Sequence, residues 1–408
     1  MNVFSFIGLL RTIYGKKLPD LEKIQNKGLL AVKIAQHYAL RADFLDEKVC
    51  RHLAKLFRNT VSLPAEDVDG LLEKYVEPSW FRRIREFQKE PFASASIGQV
   101  HRAELTDGTP VAVKIIKDDF QQRFLQDLRS LRRFLGVILF VYPKLKKVFD
   151  PMGILKHIEE YTLSELDLRN EIAGKEILVD CARPYLGRYD LSKMRFPEFY
   201  PELSNEKVLV TRFIAGKTFD ELLTEEKLSY DQLLDLFGIH GLFLFAPGIF
   251  HGDIHPGNII KGRDGNIHFV DTSAVSRVGK KIRKGLFRFF EALSAYDYDL
   301  CAARLNEMAE QPIDGKEYDR FRQKFLDLYR DFADSTVSEV SLTKKMMDSI
   351  KLGVNCGMVF EKGMFPVIKS LMYLDGMVLR CKPDAVLLRD MRPFLTGFKR
   401  LLPEVSGG

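Results

Sequence analysis

The sequence predicts an α+β fold in which a strand-rich segment is flanked by helical regions. Runs of β-branched residues bounded by turn residues occupy 90–116 and 207–214, and they have the length and composition of strands. The C-terminal part of the chain instead shows apolar residues at helical spacing. A polar loop at 251–258 precedes another short apolar run at 267–271. With 408 residues, the chain is long enough for two or three domain-sized units.

Residues 1–85 are predicted to form an N-terminal helical extension. Residues 1–15 are expected to be an amphipathic helix whose apolar side packs on the body of the protein, or on a membrane or partner surface. Further helices are expected from Lys27, from Asp46 to Phe57 and from Pro64 onwards, because apolar residues recur there every three or four positions.

Residues 86–214 are predicted to form a β-rich unit with a helical insertion. Strands at 90–105 and 109–116 are joined by a short turn. Lys114 lies in the second strand, where it is either an edge-strand charge or a phosphate-binding lysine held by a carboxylate. A loop of small residues precedes it: Ala93, Ser94, Ala95 and Ser96. Kinases usually carry glycines there, so that backbone N–H groups can cover phosphates.

Helices are expected across residues 118–180, and three acidic side chains in this stretch are candidates to pair with a lysine. On a continuous helix Glu165 and Asp167 point to different faces, whereas Asp167 and Glu171 share one. A solvated helix face with local ion pairs explains most of these charges. A lysine on a neighbouring strand would nevertheless need one of the carboxylates.

Residues 215–408 are predicted to be mostly helical. Two strands, at 196–200 and 207–214, precede this part, and a helix from Tyr230 to Phe245 leads into the polar loop. After Asp271 the prediction is almost wholly helical. The apolar residues of the first of these helices are assigned to the core: Leu286, Phe287, Phe289, Phe290 and Leu293.

The polar loop and the strand after it carry the strongest chemical signal. Asp253 is followed five residues later by Asn258, and Asp271 ends the apolar run. An Asn and an Asp can hold Mg²⁺ against nucleotide phosphates, while the other Asp orients or deprotonates a nucleophile. This spacing matches the catalytic loop and metal aspartate of kinases. The alternative is an ordinary polar turn between strands.

Composition favours a phosphate or lipid partner over nucleic acid. The formal net charge is +6 and is spread along the chain. The five cysteines are far apart with no CxxC pair, which argues against a zinc site or a disulfide framework. The sequence has no run of about 20 apolar residues, and its N-terminus lacks the basic region and cleavage site of a signal peptide. We therefore expect a cytoplasmic protein, soluble or peripheral at a membrane.

Five segments follow patterns that occur together in one family. The pattern His-x-Asp-x-His-Pro-Gly-Asn occupies 251–258, Lys-x-x-Gln occupies 33–36, and Glu-x-Asp occupies 165–167. The small-residue loop at 91–101 and the strand lysine at 111–114 complete the set. Together, in their order along the chain, these segments resemble the UbiB-like atypical kinases, which are linked to coenzyme Q (ubiquinone) biosynthesis. The resemblance implies a bilobal protein-kinase-like fold, with a small β-rich N-lobe, a larger helical C-lobe and an N-terminal helical extension.

The resemblance implies a role for each matching residue. Lys114 would contact the nucleotide phosphates and pair with Glu171, and Asp253 would be the catalytic carboxylate. Asn258 and Asp271 would bind Mg²⁺. The implied cofactors are ATP and Mg²⁺, and the implied activity is that of an ATPase or kinase tied to membrane lipids, quinone precursors and other lipid-biosynthesis proteins.

The remaining implied residues surround that centre. The nucleotide would also contact the small-residue loop and the hinge residues Arg212 and Phe213. Lys33 and Gln36 would belong to an extension over the active site, where Lys33 meets the Glu165-x-Asp167 motif. That extension takes the place of a protein substrate in the family, which disfavours ordinary protein phosphorylation.

Three departures from the family pattern leave other functions open. Ala35 replaces a glycine, Thr272 and Ser273 follow Asp271 in place of Phe-Gly, and Arg212 stands at the hinge. A small-molecule phosphotransferase is one alternative, because the His-x-Asp-x4-Asn pattern also occurs in antibiotic and choline kinases, and a nucleotide-binding scaffold without activity is the other. The Lys-x-x-Gln and Glu-x-Asp segments favour the family over the small-molecule phosphotransferase. The scaffold is disfavoured because all five residues of the implied nucleotide site are present: Lys114, Glu171, Asp253, Asn258 and Asp271.

Overall fold

The structure is a computed structural model. It describes residues 3–15, 17–39, 45–57, 65–94, 97–116, 120–141, 151–360 and 364–401. The chain divides into two compact units. Unit 1 comprises Met1–Ala173 and Pro197–Phe213, and unit 2 comprises Gly174–Phe196 and Ile214–Gly408.

The helices of the first half of the chain are α1 (Val3–Ile13), α2 (Leu21–Gln25), α3 (Leu29–Ala39), α4 (Glu47–Leu53), α5 (Ala65–Tyr75), α6 (Pro78–Phe81), α7 (Phe120–Val141), α8 (Pro151–Glu165) and α9 (Arg169–Ala182). Those of the second half are α10 (Phe219–Thr224), α11 (Tyr230–Phe245), α12 (Lys280–Ser294), α13 (Tyr298–Met308), α14 (Gly315–Tyr329), α15 (Leu342–Asn355), α16 (Met364–Cys381) and α17 (Leu387–Leu401).

The strands are β1 (Ile84–Phe87), β2 (Ala93–Ser94), β3 (Gly98–Leu105), β4 (Pro110–Ile116), β5 (Met194–Arg195), β6 (Val208–Arg212), β7 (Gly216–Thr218), β8 (Ile249–His251), β9 (Ile259–Gly262), β10 (Ile267–Phe269) and β11 (Val275–Arg277).

Unit 1 is built on an antiparallel sheet in the order β1-β3-β4-β6, with β2 also paired to β3. The predicted hairpin is present as β3 and β4, and β1 is a strand that the sequence did not indicate. One face of the sheet packs on a small core that includes Trp80, Val111 and Val208. A second core joins α1, α3 and α7 through Leu9, Ile34 and other apolar side chains.

Two local predictions in unit 1 are wrong. Residues 196–200 are not a strand; they lie beside β6 through an isolated bridge between Phe199 and Thr211. The pairing with β6 is limited to two hydrogen bonds beside this bridge, from the Tyr200 N–H to the Val210 carbonyl at 3.0 Å and from the Arg212 N–H to the Glu198 carbonyl at 2.8 Å, and a 3₁₀ turn begins at Pro201. The predicted continuous helix around Glu165 is broken, because α8 ends there and α9 begins only at Arg169.

Helix α7 is not wholly buried. Leu135 and Leu139 are buried in the second core of unit 1. Val137 and Phe140 lie on the opposite side and are 64% and 87% exposed. The three-to-four-residue spacing buries one side of α7 only. In α1, Leu9 and Ile13 are buried, whereas Phe4 is 85% exposed.

Unit 2 has a largely helical core and two small sheets. One sheet has the order β5-β10-β9-β7, and the other pairs β11 with β8. The predicted helix Tyr230–Phe245 is α11, and a Ser229 capping box fixes its start. The five apolar residues of α12 assigned to the core are all buried. The almost wholly helical prediction after Asp271 missed β11. Among the described residues, no helix has the length and apolar character needed to cross a bilayer.

Candidate functional site

A buried lysine–glutamate pair lies on the sheet of unit 1. Lys114 Nζ is 2.6 Å from Glu171 Oε1, and the two side chains are 13% and 1% exposed. Lys114 is on β4, which pairs with β3 on one side and β6 on the other, so the edge-strand explanation of this lysine is wrong. Glu171 lies in the first turn of α9, where the helix dipole favours a negative charge. A carboxylate buried this deeply requires a cationic partner.

A second ion pair in unit 1 joins Lys33 of α3 to Glu165 at the end of α8. Lys33 is buried, and its Nζ also lies 5.4 Å from the centre of the Tyr161 ring. Gln36 is buried one turn later and donates from Nε2 to the Leu56 carbonyl at 3.0 Å. The contact between Lys33 and Glu165 that the resemblance implied is therefore present.

The first departure, Ala35, lies in the same helix as Lys33 and is completely buried. Its methyl group fits the core formed by α3 and its neighbours, and α3 is unbroken from Leu29 to Ala39. Because alanine is the strongest helix former, this residue supports the helix that carries Lys33.

The sequence predicted that Asp167 and Glu171 share a helix face, and this prediction is wrong because Asp167 lies between α8 and α9. Its carboxylate accepts a hydrogen bond from the Arg169 backbone N–H, at 3.1 Å, and forms two with the guanidinium, at 2.8 and 2.7 Å. Side-chain turns of this kind compete with the helix and explain the break before α9. The Arg169 hydrogen bonds lower the pKa of Asp167.

The small-residue loop is described only in part. Ala93 and Ser94 form β2 and pair with Val100 and Gln99 of β3, whereas Ala95 and Ser96 lie outside the described residues. Gly98 follows, and a Cβ there would lie 2.7 Å from the Ile115 carbonyl oxygen, so β3 and β4 approach too closely for a side chain.

At the end of β6, Arg212 and Phe213 point in different directions. The Arg212 guanidinium is exposed and lies 3.2 Å from the Glu198 carboxylate. The Phe213 ring packs edge-on against Phe92 at 5.6 Å and lies under the Arg102 guanidinium at 4.6 Å. In this hinge segment Phe213 therefore makes aromatic and cation–π contacts, whereas the charge of Arg212 faces solvent.

In unit 2, His251 ties the polar loop to the segment that carries Asp271. Its Nε2 contacts the Asp271 carbonyl oxygen, and its Nδ1 accepts a hydrogen bond from the Asp253 N–H at 3.1 Å. A carbonyl only accepts, so Nε2 carries the proton and the ring is neutral. Burial lowers the pKa of His251, which agrees with that state. The sequence analysis assigned no role to this histidine, although it stands two residues before Asp253.

The rest of the loop orders Asn258. Residues Pro256–Asn258 form a short 3₁₀ turn, and Asn258 Nδ2 donates to the Asp253 carbonyl at 3.2 Å. The Val270 N–H donates to the Asn258 carbonyl at 3.0 Å, which links Asn258 to the strand before Asp271. Gly252 permits the approach of β11, because a Cβ there would lie 2.1 Å from Ser276 Oγ.

Asp271 lies two residues past the end of β10 and is half-buried. Its Oδ1 accepts hydrogen bonds from the Ser273 N–H at 3.2 Å and from Ser273 Oγ at 2.7 Å. Asn258 and Asp271 together offer the amide and carboxylate oxygens that suit Mg²⁺ alongside nucleotide phosphates. Among the described residues, no cluster of three or more His, Cys, Asp or Glu side chains could hold a metal by itself.

One residue of unit 2 near this loop was not indicated by the sequence. Lys369 of α16 places Nζ 3.2 Å from Asp253 Oδ1, and its side chain is 8% exposed. It falls in a helical stretch whose pattern predicts only core packing. Its proximity to Asp253 depends on tertiary structure, so local sequence carried no signal for it.

Comparison with known proteins identifies relatives along almost the whole chain. The chain is 26% identical to a probable protein kinase UbiB from Sodalis glossinidius, over 91% of this chain and 68% of that protein. It is 22% identical to an uncharacterised chloroplastic aarF-domain-containing protein kinase of Arabidopsis thaliana, over 97% of this chain and 76% of the relative.

Among solved structures, the complex of Rv3197 from Mycobacterium tuberculosis with erythromycin covers all of this chain. The chain covers 96% of that structure, with a TM-score of 0.57 and 21% identity. The α+β, protein-kinase-like fold predicted from the sequence is confirmed. A sequence profile described as the ABC1 atypical kinase-like domain matches residues 55–305, and the chain therefore belongs to that family.

Proposed function

We propose that the protein binds Mg-ATP and catalyses hydrolysis or transfer of its terminal phosphoryl group, in support of ubiquinone or other isoprenoid-lipid metabolism at a membrane surface. Relatives in the same family are named probable protein kinases, which supports a phosphotransferase or ATPase. Relatives named UbiB support the lipid context.

The observation that carries the proposal is the buried ion pair between Lys114 and Glu171. Burying two charges costs more free energy than most ion pairs return, so an apolar pair would fill this position at least as stably. The arrangement is readily explained if the lysine must be held extended on its strand to receive phosphate oxygens. In kinases a strand lysine paired with a helix glutamate has that task.

The polar loop supports the same chemistry. Asn258 and Asp271 would hold Mg²⁺, which when bound neutralises charge on the phosphates. Asp253 would orient the attacking hydroxyl or water and accept its proton. His251 contacts the backbone of both Asp253 and Asp271, which supports a fixed relation between the two segments that carry these carboxylates.

The test is a thermal-shift titration with ATP, ADP and AMP, with and without Mg²⁺, followed by measurement of phosphate release. A ligand that binds only the folded protein at a hundred times its Kd stabilises it by about 2.7 kcal/mol. We expect this shift for Mg-ATP in the wild type. Asp271→Asn should lose most of it, because the metal loses a charged ligand.

The matched control is Asp319→Asn, which removes the same charge from an exposed position on α14. It should keep the wild-type shift. No Mg-dependent shift in the wild type would overturn nucleotide binding and leave a scaffold as the function. A shift without phosphate release in the presence of vesicles and quinone-like lipids would overturn the enzymatic part alone. Stimulation by a small-molecule or protein acceptor would replace hydrolysis with transfer.

A further inference from the structure

Lys369 places a buried positive charge beside the proposed catalytic carboxylate. Its Nζ lies 3.2 Å from Asp253 Oδ1, and the side chains are 8% and 21% exposed. Within the described part of the chain, Asp253 Oδ1 is buried and accepts no hydrogen bond. The Lys369 charge is thus the interaction that compensates the burial of this oxygen.

Helix α16 presents two residues, not one, to the polar loop. Lys369 and Tyr373 are four residues apart and therefore share a helix face. The Tyr373 ring packs edge-on against His255 at 5.3 Å, and Lys369 Nζ lies 5.8 Å from the centre of the same ring. These contacts fix the part of α16 that carries the lysine against the loop that carries Asp253.

The loop itself contains no lysine or arginine between His251 and Asn258. His255 does not supply a cation in its place, because its Nδ1 accepts a hydrogen bond from the Gly257 N–H at 3.0 Å and is therefore unprotonated. The positive charge next to the proposed catalytic carboxylate comes instead from Lys369 of α16.

We propose that Lys369 is a positioning residue for catalysis, which holds the Asp253 carboxylate in the orientation needed to align the nucleophile. This inference rests on the proposed phosphoryl transfer. In hydrolysis, the water oxygen forms a bond to the terminal phosphorus and the bond to the bridging oxygen breaks. The electron pair leaves with ADP, and the proton of the water passes to Asp253. Lys369 sets where that proton acceptor stands.

Orientation has a large effect on such a step. A displacement of about 1 Å at a reacting group can lower a rate about 100-fold. Lys369 does not belong to the lysine–glutamate pair or to the proposed metal ligands, so removing its charge should leave nucleotide binding in place. A loss of kcat without a comparable change in KM is the signature of a positioning role.

The test compares Lys369→Met, Lys369→Arg and the wild type in steady-state phosphate release with Mg-ATP. Methionine keeps an unbranched side chain of similar length without the charge, and arginine keeps the charge. We expect Lys369→Met to lower kcat about 10- to 100-fold with KM changed less than about threefold. The kcat of Lys369→Arg should be at least about tenfold higher than that of Lys369→Met, because arginine keeps the positive charge. Lys351→Met, at an exposed position on α15, should behave as the wild type.

Three outcomes would overturn the proposal, and they are distinguishable. A wild-type kcat in folded Lys369→Met refutes the positioning role alone. The ion pair is purely structural if both Lys369 variants lose thermal stability and Mg-ATP binding in parallel, and if adding Asp253→Asn to Lys369→Met restores the stability. A wild type without turnover refutes the proposed function, and the positioning role with it.

Discussion

The pair formed by Lys114 and Glu171 makes a quantitative prediction about stability. Glu171→Gln would leave the Lys114 ammonium buried on the central strand β4 without its carboxylate, while the side-chain volume hardly changes. Removing one partner of a buried ion pair costs about 3–5 kcal/mol. The exposed fractions of 13% and 1% place this pair in that class and not among surface pairs, which contribute about 0–1 kcal/mol. For a unit of this size, the loss corresponds to a fall in Tm of about 6–20 °C.

Differential scanning calorimetry without nucleotide measures this directly. The control is Glu160→Gln on α8, whose carboxylate is 63% exposed and lies 3.7 Å from Lys156. That variant should change the stability by about 0.5 kcal/mol or less. The double variant Lys114→Met with Glu171→Leu replaces the charges by apolar groups and should recover most of the stability. A Glu171→Gln protein as stable as the Glu160→Gln control would show that the lysine is compensated by solvent, and the argument from burial would fail.

Two further predictions concern His240 and the exposed aromatic residues of unit 1. Burial lowers the pKa of His240 to about 3, so the unfolded chain binds its proton first as pH falls below about 6.5 and stability declines. Between pH 6.5 and 4.5 this loss of stability amounts to about 2 kcal/mol, and His240→Leu should remove it from the pH dependence of the unfolding free energy in denaturant titrations; an unchanged pH dependence would contradict this. Phe140 is 87% exposed, so Phe140→Ser should reduce flotation with anionic vesicles. Leu186→Ser, at a position 59% exposed in unit 2, is the control, and equal flotation of both variants would contradict a membrane role for α7.

Local patterns in the sequence were sufficient for the long elements. The helices from Tyr230 and Lys280 and the hairpin around Lys114 follow from spacing and turn residues within each segment. The short strands were not predictable in this way. Strands β5 and β11 have two and three residues, and they exist because distant segments pair with them. A run of two or three residues is too short for a periodic signal.

The candidate site shows the same division between local and distant information. The spacing of Asp253, Asn258 and Asp271 is a local signal, and their roles remain predictions to be tested by the variants described above. The contact of Asp253 with Lys369 is set by the packing of α16, which no nearby pattern records. The helix break at Asp167 was missed for a different reason, since a side-chain turn with Arg169 overrode an otherwise helical sequence.

The segment after Asp271 bears on whether the unusual residues there disable the site. A glycine at position 273 would give the backbone freedom next to the proposed metal ligand. Ser273 instead donates two hydrogen bonds to Asp271 Oδ1, from its N–H and its hydroxyl. Thr272 is completely buried, and a Cβ on Gly174 would lie 1.9 Å from its carbonyl oxygen, so this backbone is closely packed. A carboxylate oriented in advance needs little reorganisation when a cation and phosphates arrive. With Thr-Ser in place of Phe-Gly, the backbone after Asp271 has less freedom and the Asp271 carboxylate is held in one orientation. This replacement is therefore no argument against metal and phosphate binding at the site.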